Sequence, residues 1–201
     1  MNDTFTIAQD LREAKAMAEG LDGYLKQDSL YGAVGGGGFF SFNPMPALTI
    51  GALLMRLRRL HLLSDQLSAE QRQELDAAQK THDAVSDEWR SHYDTRLNRE
   101  ALSRIKAIKP YLDEAASDPK LAARSYKPET LRRTIVEECL IAMAERGMEH
   151  DDLSKQARGM DQRLRRYLEP ADFQWDHALE AVYPRERFWW LYMQPYQPEK
   201  A

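Results

Sequence analysis

The side chains best placed to do chemistry fall in one stretch of the chain. His82, Glu88 and His92 follow one another over about three helical turns, with Asp83, Asp87 and Trp89 among them. On a helix His92 stands about 80° from His82, and Glu88 precedes His92 by one turn. Imidazole and carboxylate groups on one side of a helix can hold a metal ion or move a proton when neighbouring helices complete the set. A di-metal carboxylate site needs Glu-x-x-His on two helices and further glutamates from two more. Neither that spacing nor His-x-x-x-His occurs here, so no metal and no cofactor are expected. His82, Glu88, Trp89 and His92 are the candidate ligand-binding residues, and the residue types nominate no catalytic group.

The C-terminal end supplies a second set. Phe173, Trp175, Tyr183, Phe188, Trp189, Trp190, Tyr192 and Tyr196 crowd the last stretch of the chain. Adjacent tryptophans on a helix point roughly 100° apart, so one face does not bury both. Trp189, Trp190 and Tyr192 are therefore the candidate partner-binding residues, with Arg185 or Arg187 expected to stack on a ring.

Three other features have plainer readings. Cys139 lies on an apolar stripe behind Glu137 and Glu138, which disfavour a thiolate, and reads as core. The run Gly35 to Gly38 lacks the preceding strand and the Gly-Lys-Ser/Thr of a phosphate loop, and reads as a connector. Arg56, Arg58, Arg59 and His61 alternate with leucines, as do Arg163, Arg165 and Arg166, and both clusters read as the solvated rim of amphipathic helices.

The elements that carry these residues are helical throughout. Thr6-Ile7-Ala8-Gln9 and Ser68-Ala69-Glu70-Gln71 are capping boxes that open two helices. The first runs to about Asp28. A Gly-rich loop over 31–46 follows, and Pro46 is expected near the first turn of the second helix. The segment from Ser68 contains no glycine or proline before Lys109, so one long helix with a kink or end at Pro110 is expected. Its buried face nevertheless shifts by about 130° past Tyr93, which calls for a bend near Asp94 to Asn98 or for two sets of packing partners. Any groove is expected beside its first half. Asp118-Pro119 begins a short turn, and Lys127-Pro128-Glu129 restarts a helix that ends at Gly147 with Leu131, Ile135, Cys139, Ala142 and Met143 inside. A helix over 151–168 and an aromatic C-terminal helix over 184–194 complete an all-α bundle of about five to seven helices. Residues 1–201 read as a single helical domain around a long central helix or kinked helix pair.

Composition narrows the function. The chain has 201 residues, 43% hydrophobic and 30% charged, which is a globular balance. A net charge of −4, with acidic and basic residues well mixed, argues against nucleic acid as a partner. No apolar stretch is long enough for a bilayer, so no membrane is expected. One cysteine and no secretory leader point to the cytoplasm. The expected function is a non-enzymatic helical binding or assembly module that pairs with itself or with another protein. The alternative is an enzyme or a small-ligand or metal-binding bundle using the inward-facing His and Glu of the long helix.

Overall fold

The computed structural model describes residues 4–34 and 45–196. Seven α-helices account for most of them: α1 (Ile7–Leu25), α2 (Ile50–Leu62), α3 (Ala69–Glu88), α4 (Arg90–Ala107), α5 (Lys109–Ser117), α6 (Pro119–Glu145) and α7 (Asp151–Leu164). The one sheet among the described residues is an antiparallel pair, β1 (Leu168–Pro170) and β2 (Met193–Pro195), with Leu168 opposite Pro195. The fold is predominantly all-α, and among the described residues no helix is long and apolar enough to cross a membrane. The chain divides into two compact units, residues 1–100 and 101–201, with the division inside α4.

In unit 1 the start signals work as capping chemistry requires. The Thr6 hydroxyl accepts from the Gln9 amide at 3.2 Å. Ser68 and Gln71 form a reciprocal capping box at the start of α3, satisfying donors that the first helical turn leaves open. The second helix begins at Ile50, with Thr49 as its cap, and not at Pro46. Leu48 is first held in extended form by a bridge to Gly32, whose amide donates to the Leu48 carbonyl at 2.9 Å. A side chain at Gly32 would put its Cβ 2.7 Å from the Tyr24 ring, so this close crossing requires glycine. Gly35 to Gly38, Phe39, Phe40, Phe42 and Pro44 of the expected loop lie outside the described residues.

The packing of α1 on α2 overturns the rim reading for two members of the first basic cluster, while Arg58 is half-buried and His61 exposed. Arg56 and Arg59 are both buried, and they meet two buried carboxylates from α1. The Arg56 Nε donates to Glu13 at 2.7 Å, and Arg59 lies 3.3 Å from Asp10. Burial pushes the Asp10 carboxyl above its usual range, although Arg59 and Arg56 oppose the shift. Amphipathic spacing alone placed these arginines outside; carboxylates on the facing helix, at matching heights, let them go in.

The long helical segment breaks at Trp89, not near Asp94 to Asn98. Trp89 has φ −105° and ψ 31°, between α3 and α4. Its amide still donates to Val85 and its carbonyl still accepts from Tyr93, both at 2.9 Å, so one distorted residue separates two well-bonded helices. The helical run stops again at Ile108, and Pro110 sits in the first turn of α5, as a missing N–H allows.

In unit 2, α6 is one helix of 27 residues with Pro128 in its interior, where a restart was expected. Leu131, expected inside, is 40% exposed, whereas Thr130 and Thr134 are fully buried. Ile135, Cys139, Ala142 and Met143 lie in the core as expected. α6 ends in a glycine cap, Gly147 with φ 67°, a left-handed conformation that glycine adopts without strain. The expected helix over 184–194 is not formed. Its residues make a turn, a 3-10 turn (Trp189–Tyr192) and the strand β2. Aromatic side chains here bond to distant elements, and those contacts outweigh local helical preference.

Candidate functional site

The four candidate ligand residues do not converge. His82 is buried, with Nδ1 2.9 Å from the Asp83 carboxylate and Nε2 2.8 Å from the Tyr93 hydroxyl. A carboxylate only accepts, so Nδ1 donates to it, and in the neutral ring Nε2 then accepts the Tyr93 hydroxyl proton. Both nitrogens are therefore committed within unit 1, and the ring bridges the two sides of the Trp89 break. Glu88 is exposed. Trp89 is half-buried, its indole N–H donating to Asp22 at 2.9 Å and its face covered by Lys26. His92 is exposed and meets the edge of Trp89, ring centres 5.4 Å apart. Among the described residues no group of three or more His, Cys, Asp or Glu stands close enough to hold a metal ion.

What the seam does adjoin is a groove. It lies between the C-terminal end of α1 and the first turns of α4, has a volume near 260 Å³, and opens to solvent. Leu25, Lys26, Gln27 and Asp28 form one wall; Ser91, His92, Thr95, Arg96 and Arg99 form the other. It begins where the first half of the long segment ends. Of the four candidate residues only His92 lines it. Lys26 is bonded to Asp22 at 2.7 Å, and that bond, with help from Trp89, holds the Asp22 carboxyl below its usual range. Arg96 is buried against the Tyr24 ring, 4.5 Å away, and donates to the Ser29 carbonyl, so it ties α4 to the turn after α1.

Arg96 and Arg99 were not singled out by their sequence setting. Both sit in a charge-rich, glycine-free stretch that reads as a solvated face. One signal was available: positions three apart on a helix share a face, and with His92 one turn earlier the two arginines make a stripe of nitrogen donors.

At the aromatic end the two tryptophans part company. Trp190 is fully buried, and its indole N–H donates to Thr134 at 3.0 Å. The Thr134 hydroxyl passes its own proton to the Thr130 carbonyl at 2.8 Å. Trp175 repeats the pattern one turn away, donating to the Thr130 hydroxyl at 2.8 Å. Two threonines on α6 thus receive two indoles, which explains why polar residues occupy core positions. Arg133 covers the other face of Trp190 at 3.9 Å while holding Asp161 through two nitrogens, at 2.8 and 3.0 Å, and Glu137 at 3.0 Å. Burial disfavours the Arg133 charge, but Asp161 and Glu137 outweigh it and raise the pKa.

Trp189 is half-buried, and the arginine stacked on it is Arg165, at 3.6 Å. Arg187 instead pairs with Glu137, and Arg185 lies over Tyr192 at 5.3 Å. Tyr192 is 8% exposed, and its hydroxyl donates to the Tyr183 carbonyl at 2.8 Å. Trp190 and Tyr192 therefore pack this unit together, and Trp189 alone of the three keeps substantial surface.

One buried polar pair has no match in the sequence reading. Glu114 on α5 accepts from Ser125 on α6 at 2.8 Å, and one turn further along Tyr111 lies within electrostatic reach of Glu129. The Tyr111 hydroxyl and one Glu129 oxygen are buried without a hydrogen-bond partner, while the other Glu129 oxygen pairs with Arg132. Burial raises the pKa of both groups, and each carboxylate nearby adds to it. Compared with known protein families, with curated proteins and with solved structures, the chain matches none.

Proposed function

We propose that the chain is a non-enzymatic helical binding or assembly module, and that unit 1 meets its partner at the groove between α1 and α4. The observation that carries this reading is the groove's construction. It opens to solvent, and Arg96 in its wall is held by a bond to the Ser29 carbonyl and by stacking on the Tyr24 ring. A surface held in place before contact loses little freedom on binding. Arginine and tryptophan beside such a hollow are the residue types that dominate binding energy at interfaces. His82, which an interhelical reaction pocket would use, is turned inward and bonded at both nitrogens. The buried, disulfide-free Cys139 suits a reducing compartment, and the cytoplasm is the location we favour.

A photo-crosslinking side chain at Thr95, inside the groove, tests the reading in living cells. A discrete adduct is expected there, absent when the same group replaces exposed Arg12 and absent again in the Arg99→Glu background. Equal labelling at both positions would sink it. Sedimentation of the adduct then distinguishes a second copy of this chain from a different protein.

A further inference from the structure

The groove has a definite chemistry, and naming it rests on the reading above that this face binds. Four arginines are buried among the described residues: Arg56, Arg59, Arg96 and Arg133. Three of them meet carboxylates, Arg56 on Glu13, Arg59 on Asp10, and Arg133 on Asp161 and Glu137. Arg96 is the exception. It is 4% exposed, bonds to one carbonyl and stacks on one ring, and no carboxylate among the described residues pairs with it. A guanidinium does not lose its proton in a protein, and a buried charge without a counter-ion is unfavourable. The residue that leaves this charge unanswered also lines an open hollow.

Its surroundings make the deficit larger. Arg99, one turn further along α4, has no carboxylate partner among the described residues either. His92, one turn back, meets the edge of Trp89 and has no carboxylate partner among the described residues. Lys26 is already neutralised by Asp22, and Asp28 is the single carboxylate on the walls. Ser91 and Thr95 add hydroxyl donors between the charged groups. This local excess of positive charge and donors stands out on a chain whose net charge is −4.

We propose that the groove seats a phosphate group between Arg96 and Arg99, with His92, Ser91 and Thr95 completing its hydrogen bonds. Two guanidiniums, an imidazole and two hydroxyls offer more donors than the two oxygens of a carboxylate accept. A phosphate's three oxygens and near-double charge match the set better, and arginine forks suit that geometry. The group is either free inorganic phosphate or a phosphomonoester carried on a side chain of the partner.

Titration of the full-length, nitrogen-15-labelled chain with inorganic phosphate, O-phosphoserine and acetate at constant ionic strength tests this by NMR. Saturable shifts confined to the amides of residues 25–28 and 91–99 are expected with both phosphates. Arg99→Glu should weaken both by about tenfold or more with its circular dichroism unchanged. Should that variant unfold, Arg99→Gln and Thr95→Ala carry the same expectation. Tighter binding of O-phosphoserine identifies a side-chain source, and equal binding a free anion. Shifts that stay linear, spread through both units or are insensitive to these variants overturn the proposal, as does equal binding of acetate. If phosphate fails while the Thr95 adduct persists and still needs Arg99, the phosphate chemistry is wrong and the binding face stands. Loss of both removes both.

Discussion

Threonine in a helix interior usually looks like a compromise, since its hydroxyl competes for backbone carbonyls. In α6 that competition is put to use, because Thr134 and Thr130 give their protons to carbonyls one turn back and so turn lone pairs toward Trp190 and Trp175. Thr134→Val keeps the shape but leaves a buried indole N–H unpaired, which costs about 1–3 kcal/mol. Urea denaturation should show that loss, and Thr134→Ser should recover most of it. Glu129 makes the opposite kind of prediction. Burial lifts its folded pKa above the ordinary value of 4.5, so between the two values the folded chain holds a proton that the unfolded chain has released. Ionised Glu129 therefore disfavours folding above its folded pKa, and the penalty fades as pH falls through that value. Removing the charge with Glu129→Gln should raise stability at neutral pH, and the difference from the natural chain should shrink as pH falls toward 4.5. A difference that grows on acidification would contradict the burial argument. At this scale the sequence reading succeeded with Cys139, whose apolar stripe was enough, misplaced Arg56 at the surface, and did not single out Arg96 or Thr134. Their roles depend on partners from 43 to 67 positions away, which no local spacing reveals.

Helix starts were the most readable elements, because capping is local: Thr6 and Ser68 carry both the residue type and the spacing, and both caps form. The readings that failed were those in which distant contacts override a local signal. Pro128 reads as a helix start yet lies inside α6, and the aromatic end reads as a helix yet folds as a turn and a strand. The shift of buried face along the long segment was visible, but its location was displaced because Trp89 is held from outside by Asp22. The pairing of α1 with α2 leads to a prediction at the same scale. Arg56→Met strands Glu13 in the core and should destabilise the chain by about 3–5 kcal/mol in thermal or urea unfolding. The double variant Glu13→Leu with Arg56→Met removes both charges and should recover most of that loss, since a buried pair contributes little over a well-packed apolar one. If the double variant is as unstable as the single, the arginine's bond to the Ala52 carbonyl matters more than the ion pair.

At the scale of the whole chain, composition alone argued for a globular protein with a core of its own, and each unit has one. The division between residues 100 and 101 lies within a helix free of glycine and proline, so no linker composition marks it. Net charge was a guide to the molecule but not to its groove, where a few like-charged groups outweigh the average. The single thiol offers a way to watch unit 2 in time. Cys139 is fully shielded and is the one reactive sulfhydryl in the chain, so an aromatic disulfide reagent reaches it only when the packing around α6 opens. Its rate of modification then measures the population of that opening whenever reclosing is faster than reaction. Native chain should react far more slowly than chain in denaturant, and Thr134→Val should accelerate the reaction in proportion to the stability it removes. Phosphate should leave the rate unchanged, because its stabilising contacts lie in unit 1. A ligand-induced slowing would reveal that the two units exchange free energy, turning one sulfur atom into a gauge of coupling between them.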